Sequence, residues 1–146
     1  MRAGRILLVE DNPDDEALIL RALKKVNLTN EIDVVRDGVE ALDYIFGTGA
    51  HDGRGVAHPT VTLLDIKLPK VDGLEVLRRI REDPRTKQNP VVMLTSSSEQ
   101  EDLIRSYDLG VNSYVRKPIE FGEFSKTVAD LGLYWLLQNE VPAQFR

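Results

Sequence analysis

Three carboxylates, a hydroxyl and an amine follow short apolar runs in this chain, and together they could handle a phosphoryl group. Ile6 to Val9 leads into Glu10-Asp11, and Val61, Leu63 and Leu64 lead into Asp65. Pro90 to Leu94 leads into Thr95, and Asn112 to Arg116 into Lys117. Runs this short, bounded by Pro, Gly and Asp, read as buried parallel strands. The carboxyl ends of parallel strands point the same way, and open α/β sheets hold their ligands there. These side chains therefore converge on one edge.

Glu10, Asp11 and Asp65 repel one another unless a hard cation sits among them. An oxygen donor set suits Mg²⁺. Asp65 would then be a carboxylate nucleophile able to form an aspartyl phosphate. Lys117 would counter charge on a phosphoryl oxygen as a point cation, and the Thr95 hydroxyl would donate to another. Phosphoryl transfer needs mainly such positioning and charge stabilisation. Each residue alone has a plainer reading. Glu10-Asp11 could only complement a helix dipole, Thr95 could cap a helix, and a Lys before Pro could be a solvated loop residue. The joint occurrence at successive strand ends favours the chemistry.

The intervening segments must position these residues. Asn12 can cap a helix that begins at Pro13, with acids in its first turn and Ile19, Leu23 and Val26 on its buried face. Ile32 to Val35 is a weaker strand. Asp37-Gly38 opens a helix with Leu42, Ile45 and Phe46 on one face, stopped by Gly47. Residues 47–58 hold four glycines and two histidines without apolar period, which predicts a surface loop with solvated His51 and His58. After the turn at Pro69 to Gly73, where Asp72 is the natural cap, Leu74, Leu77 and Ile80 mark a third helix that Asp83-Pro84 ends. Ser98 with Glu101 forms a capping-box pattern. Leu103, Ile104 and Tyr107 continue that helix to Gly110. Phe121, Phe124, Val128, Leu131 and Trp135 stripe the last. Strands alternating with helices predict a parallel sheet covered on both faces.

Composition narrows the function classes. A chain of 146 residues, 42% apolar, suits one domain that buries about 70% of its unfolded surface. A net charge of −5 disfavours nucleic acid and anionic membrane as partners. The absence of cysteine excludes disulfides, thiolate metal sites and a Cys nucleophile. Neither a secretory signal nor an apolar run of membrane-spanning length is visible, so a cytoplasmic protein is expected.

Over about residues 5–138 the chain resembles the receiver domain of two-component response regulators. The matching stretches are Leu-Leu-Val-Glu-Asp-Asn at 7–12, Leu-Leu-Asp-Ile-Lys-Leu-Pro-Lys-Val-Asp-Gly at 63–73, Val-Met-Leu-Thr at 92–95 and Ser-Tyr-Val-Arg-Lys-Pro at 113–118. The resemblance implies a single receiver domain over 1–146, with a tail at 139–146. It also implies a flavodoxin-like, doubly wound sheet of five parallel strands in the order 2-1-3-4-5, with five helices. By the same resemblance, Asp65 is the phosphoacceptor, and Glu10, Asp11 and the Lys67 backbone carbonyl help hold Mg²⁺. Thr95 and Tyr114 form the switch, Lys117 contacts the phosphoryl group, and the Lys117-Pro118 bond is cis, an isomer that costs an X–Pro bond little. Ser96 stands where many relatives carry a small apolar residue, which would alter access to the phosphoryl group. Lys67 and Ser97 flank the acceptor and the switch Thr and would set the lifetime of the phosphorylated state. The glycine-rich loop and the ending Leu-Gly-Leu-Tyr-Trp-Leu-Leu-Gln-Asn-Glu-Val-Pro resemble single-domain regulators that partner bacterial phytochrome histidine kinases.

The expected function is thus a Mg²⁺-dependent phosphorylation switch driven by a sensor histidine kinase, rather than a turnover enzyme. A Mg²⁺-dependent aspartyl-phosphate phosphatase is the alternative. That class typically places a second Asp two residues after the nucleophile, where this chain has Lys67. A flavodoxin-like cofactor binder would want Ser, Thr and Gly after its first strand. Glu10 to Asp15 would instead repel a phosphate. Finally, Leu133, Tyr134, Leu136 and Leu137 make the end of the last helix apolar nearly all round. Such a patch predicts an interface, here a homodimer through the fourth helix, fifth strand and fifth helix.

Overall fold

In the computed structural model, residues 4–25, 31–95, 108–116, 122, 123 and 126 are described. Five strands form one parallel sheet: β1 (Ile6–Val9), β2 (Ile32–Val35), β3 (Val61–Asp65), β4 (Val91–Thr95) and β5 (Ser113–Arg116). Their order is β2-β1-β3-β4-β5, as the resemblance implied. The register sets Val9 beside Leu64 and Asp65 beside Leu94, so the ends of β1, β3 and β4 form one continuous edge. Pairing runs on past β1, where the Glu10 N–H donates to Val35 O at 3.0 Å, and past β3, where the Ile66 N–H donates to Leu94 O at 3.1 Å.

β1 and β3 are buried along their whole length, which is why they read as unbroken apolar runs instead of alternating ones. One face of the sheet carries Leu7, Val9, Leu64, Val91 and Met93 against α2 (Gly38–Phe46) and α3 (Gly73–Glu82). The other carries Ile6, Leu8, Leu63, Val92 and Leu94 against Ile19 and Leu23 of α1 (Pro13–Lys25). Fully burying each such side chain contributes roughly 1.5–3 kcal/mol, so the two apolar layers hold the edge residues in place.

The helix starts follow the expected chemistry. Asn12 Oδ1 accepts from the Asp14 and Asp15 N–H groups at 2.9 and 3.1 Å. Asp37 Oδ1 accepts from the Glu40 N–H at 2.7 Å, and Asp72 Oδ1 from the Glu75 N–H at 2.9 Å. Gly47 ends α2 in the left-handed conformation, at φ 68°. Two strand starts fall one residue later than expected. Pro90 accepts from the Thr62 N–H at 3.0 Å but has no N–H of its own to give, so β4 begins at Val91. The Asn112 side chain reaches back to β4, Oδ1 accepting from the Val91 N–H at 2.8 Å, and β5 begins at Ser113.

The segment at 47–58 departs from the loop of solvated histidines expected for it. It forms a 3₁₀ turn over Gly49–His51 and folds back on α2. The Ala57 N–H donates to Ile45 O at 2.8 Å. The Arg54 guanidinium lies 5.1 Å from the centre of the Tyr44 ring and donates to His51 Nδ1 at 2.8 Å. His51 itself meets the Tyr44 ring edge-on at 5.2 Å. His58, although exposed, hydrogen-bonds Asn89 Oδ1 at 3.3 Å. Outside the described residues lie Val26, the Ser98–Glu101 capping box, Leu103, Ile104 and Tyr107, the stripe from Phe121 to Trp135 and the tail at 139–146. Among the described residues, no helix is long and apolar enough to cross a membrane.

Candidate functional site

The acidic residues converge as their strand positions require. Glu10 directly follows β1 and is fully buried, Asp65 closes β3 at 5% exposure, and Asp11 lies exposed at the rim. One carboxylate oxygen from each lies within 4.8 Å of the others. The chain turns sharply here, with the Asn12 N–H donating to Glu10 Oε2 at 3.3 Å before α1 begins.

The electrostatics of this arrangement are costly for a bare protein. Two unit charges at such a separation repel by about 3 kcal/mol at an effective dielectric constant of about 20. Solvent weakens the pairs that involve exposed Asp11, so the buried Glu10–Asp65 pair carries most of this repulsion. A divalent cation reverses the sign of this term. The donor set is all oxygen, two donors are buried and one is open to solvent, which fits a hard cation that retains waters.

The loop between β3 and α3 follows directly from Asp65. Lys67, two residues after Asp65, has an exposed side chain, and Leu68 tucks into the core beneath it. Thr95 closes β4 opposite Arg116, which puts its backbone at the same edge. Tyr114 stands opposite Met93, two residues before Arg116, and its half-buried side chain packs against the core beneath α2 and α3. The side chain of Thr95, and Ser96, Ser97, Lys117 and Pro118 entirely, lie outside the described residues. The structure thus brings together Glu10, Asp11 and Asp65 and sets Thr95 and Tyr114 on neighbouring strands.

Two features of the loop that follows Asp65 were not legible in the sequence. Gly38, at the start of α2, presses against the β3–α3 loop: a Cβ there would lie 1.8 Å from Val71 O. Lys70 in that loop adopts a left-handed φ of 70°. The Asp37-Gly38 pair was a visible signal, but only of a helix start.

The response regulator receiver domain matches this chain over residues 6–129. The chain belongs to the response regulator receiver family. This receiver is 45% identical over 137 residues to the probable methanogenesis regulatory protein FilR2 of Methanothrix harundinacea, spanning 94% of this chain and 86% of that one. It also resembles the solved bacteriophytochrome response regulator AtBRR, at 55% identity and a TM-score of 0.84, covering 96% of this chain and 100% of that one. A Mn²⁺-bound structure of response regulator Rcp1, a protein of Synechocystis, matches at 37% identity and a TM-score of 0.76 over 96% and 99% of the two chains. Receivers bind a divalent metal, and the acidic cluster of this chain has the composition for it. As a receiver related to phytochrome response regulators, it works with a histidine kinase.

Proposed function

We propose that this receiver is a single-domain switch that accepts a phosphoryl group on Asp65 in a Mg²⁺-dependent reaction. The observation that carries the reading is the convergence of Glu10, Asp11 and Asp65 oxygens within 4.8 Å at the carboxyl edge of the sheet. In the reaction, an Asp65 oxygen attacks phosphorus and forms the P–O bond. The P–N bond of the donor phosphohistidine breaks, and its electron pair stays on the imidazole nitrogen, which takes up a proton. Mg²⁺, when bound, neutralises the carboxylates and phosphoryl oxygens so that two anions can approach. Glu10, Asp11, Asp65 and the Lys67 carbonyl hold it. Lys117 balances phosphoryl charge, the Thr95 hydroxyl is drawn to the phosphoryl group, and Ser96 alters access to it. Tyr114 turns inward into the space Thr95 leaves, biasing two existing packings.

The kinase we favour is a bacterial phytochrome, since the likeness to the bacteriophytochrome response regulator AtBRR covers 96% of this chain. The name of FilR2 points to a different setting, so a panel of donor kinases is needed. The output surface would be a homodimer through the fourth helix, β5 and the fifth helix, of which β5, Asp108, Gly122, Glu123 and Lys126 lie among the described residues; light scattering that finds only monomer with and without phosphoryl mimic would refute it. Lys67 in place of a second Asp argues against the phosphatase alternative.

The test is phosphate incorporation from acetyl phosphate and from phosphorylated phytochrome kinase, with and without Mg²⁺. Wild type should incorporate phosphate only with the metal, and Asp65→Asn should not incorporate it at all. Incorporation into Asp65→Asn at the wild-type level would sink the assignment.

A further inference from the structure

We propose that Gly38 and Lys70 form a docking point that fixes the β3–α3 loop, and with it the Lys67 carbonyl, against the acidic pocket. The proposal rests on the phosphoacceptor reading above and assigns positioning residues that touch neither metal nor phosphate.

The loop from Ile66 to Asp72 is held at two places. At its far end, the Gly73 N–H donates to Ile66 O at 2.7 Å, and a Cβ on Gly73 would lie 2.0 Å from Asp65 O. In its middle, the Gly38 N–H donates to Pro69 O at 3.3 Å, and a Cβ on Gly38 would lie 1.8 Å from Val71 O. Both approaches are closer than any side chain permits, so the loop sits where it does only because two helices begin with glycine. Lys67 lies between the two anchored carbonyls, Ile66 O and Pro69 O.

Lys70 shows that the docking is imposed. Among the described residues it is the non-glycine with positive φ, at 70°, a region that disfavours L side chains. Such a conformation persists where its surroundings over-determine it. Lys70 Nζ lies 3.5 Å from Asp37 Oδ2, and the other oxygen of Asp37 caps α2. The start of α2 thus grips the loop through a hydrogen bond, a close backbone contact and an ion pair. Lost outer-shell partners typically weaken metal binding about 10–100-fold, and this grip acts at that remove from the pocket.

The experiment measures Mg²⁺ binding by calorimetry and metal-free melting for full-length variants. Gly38→Ala should bind Mg²⁺ about tenfold more weakly than wild type and shift the Lys67 and Leu68 amide resonances in the metal-free protein. Gly4→Ala is the control. A Cβ there would meet Thr60 Oγ1 at 2.0 Å, at the opposite edge of the sheet. It should lower the melting temperature and leave Mg²⁺ affinity unchanged. Asp11→Asn reports on the pocket itself. If Asp11→Asn weakens binding while folded Gly38→Ala binds like wild type, the docking point is overturned and the pocket stands. If Asp11→Asn binds Mg²⁺ like wild type, the pocket reading fails and takes the docking point with it. Should Gly38→Ala not fold, Lys70→Val replaces it, since a β-branched residue resists the left-handed φ and lacks the ion pair. Weaker Mg²⁺ binding by that folded variant supports the proposal, and wild-type binding overturns it.

Discussion

At the amino-terminal edge of the sheet, Arg81 donates to Gly110 O at 2.8 Å, Lys87 O at 3.1 Å, Asn89 O at 2.7 Å and Asn112 Oδ1 at 2.8 Å. At the carboxyl edge, Glu10, Asp11 and Asp65 crowd three like charges together. The first arrangement satisfies a half-buried cation with fixed acceptors and ties the α3–β4 and β5 connections to one guanidinium. Burial lowers the Arg81 pKa, yet an arginine stays charged. Nearby, Arg5 donates to Asp33 and Glu31, and the Tyr44 hydroxyl donates to Asp33. One edge therefore meets its cations with acceptors already in place, neutral oxygens for Arg81 and carboxylates for Arg5. The other gathers three carboxylates of like charge. Stability and function are separated in space, and perturbing each edge should affect different observables.

The largest effect on stability is expected at the amino-terminal edge. Arg81→Ala would strand the acceptor on buried Asn89 and leave the exposed ones on Lys87, Gly110 and Asn112 to water. It should destabilise the metal-free protein by about 2–4 kcal/mol, since bonds from charged donors contribute roughly 1.5–3 kcal/mol each and several of these acceptors can turn to water. Its Mg²⁺ affinity, measured on the folded fraction, should stay at the wild-type value. A parallel loss of metal affinity would show that the two edges are coupled.

A smaller effect concerns acid. Hydrogen bonding from Arg5, opposed by partial burial and assisted by Tyr44, holds the Asp33 carboxyl below its usual range. Arg78 holds that of Glu75 down to about 2 from 4.5. A carboxyl depressed in the fold adds stability above its unfolded pKa, and that stability drains away as pH falls through the folded value. The network contribution should thus be complete above about pH 4.5 and fade toward pH 2. Glu75 is partly exposed, so solvent screening leaves its pairs worth below about 0.5 kcal/mol. Glu75→Gln should flatten the denaturation profile slightly in that window and change nothing at pH 7 beyond that amount. A midpoint profile identical to wild type would remove Glu75 from the acid response.

The contrast between the edges also explains what the sequence could reveal. β1 and β3 are apolar runs because both faces are covered, and their terminal acids share an edge because parallel strands share a direction. Glu10, Asp11 and Asp65 could therefore be assembled from spacing alone. The caps at Asn12, Asp37 and Asp72 were legible because a cap is a local hydrogen bond. Arg81 was not, because its acceptors at Gly110 and Asn112 lie 29 and 31 residues away. Nor was the folding of 47–58 onto α2, because it depends on Tyr44, which helical periodicity did not single out beside Leu42, Ile45 and Phe46. Lys70 shows the same limit: its left-handed backbone follows from contact with another helix and not from its own residue type.

The measurement that tests the central claim most directly is the melting temperature of wild type and Asp11→Asn, each with and without Mg²⁺. If the three carboxylates at the carboxyl edge repel one another in the metal-free fold, Mg²⁺ should raise the wild-type melting temperature by binding the folded state. Asp11→Asn should melt higher than wild type without the metal, since one repelling charge is gone, and should gain much less from adding it. Equal metal-free melting together with an equal Mg²⁺-induced rise in the two proteins would contradict the account.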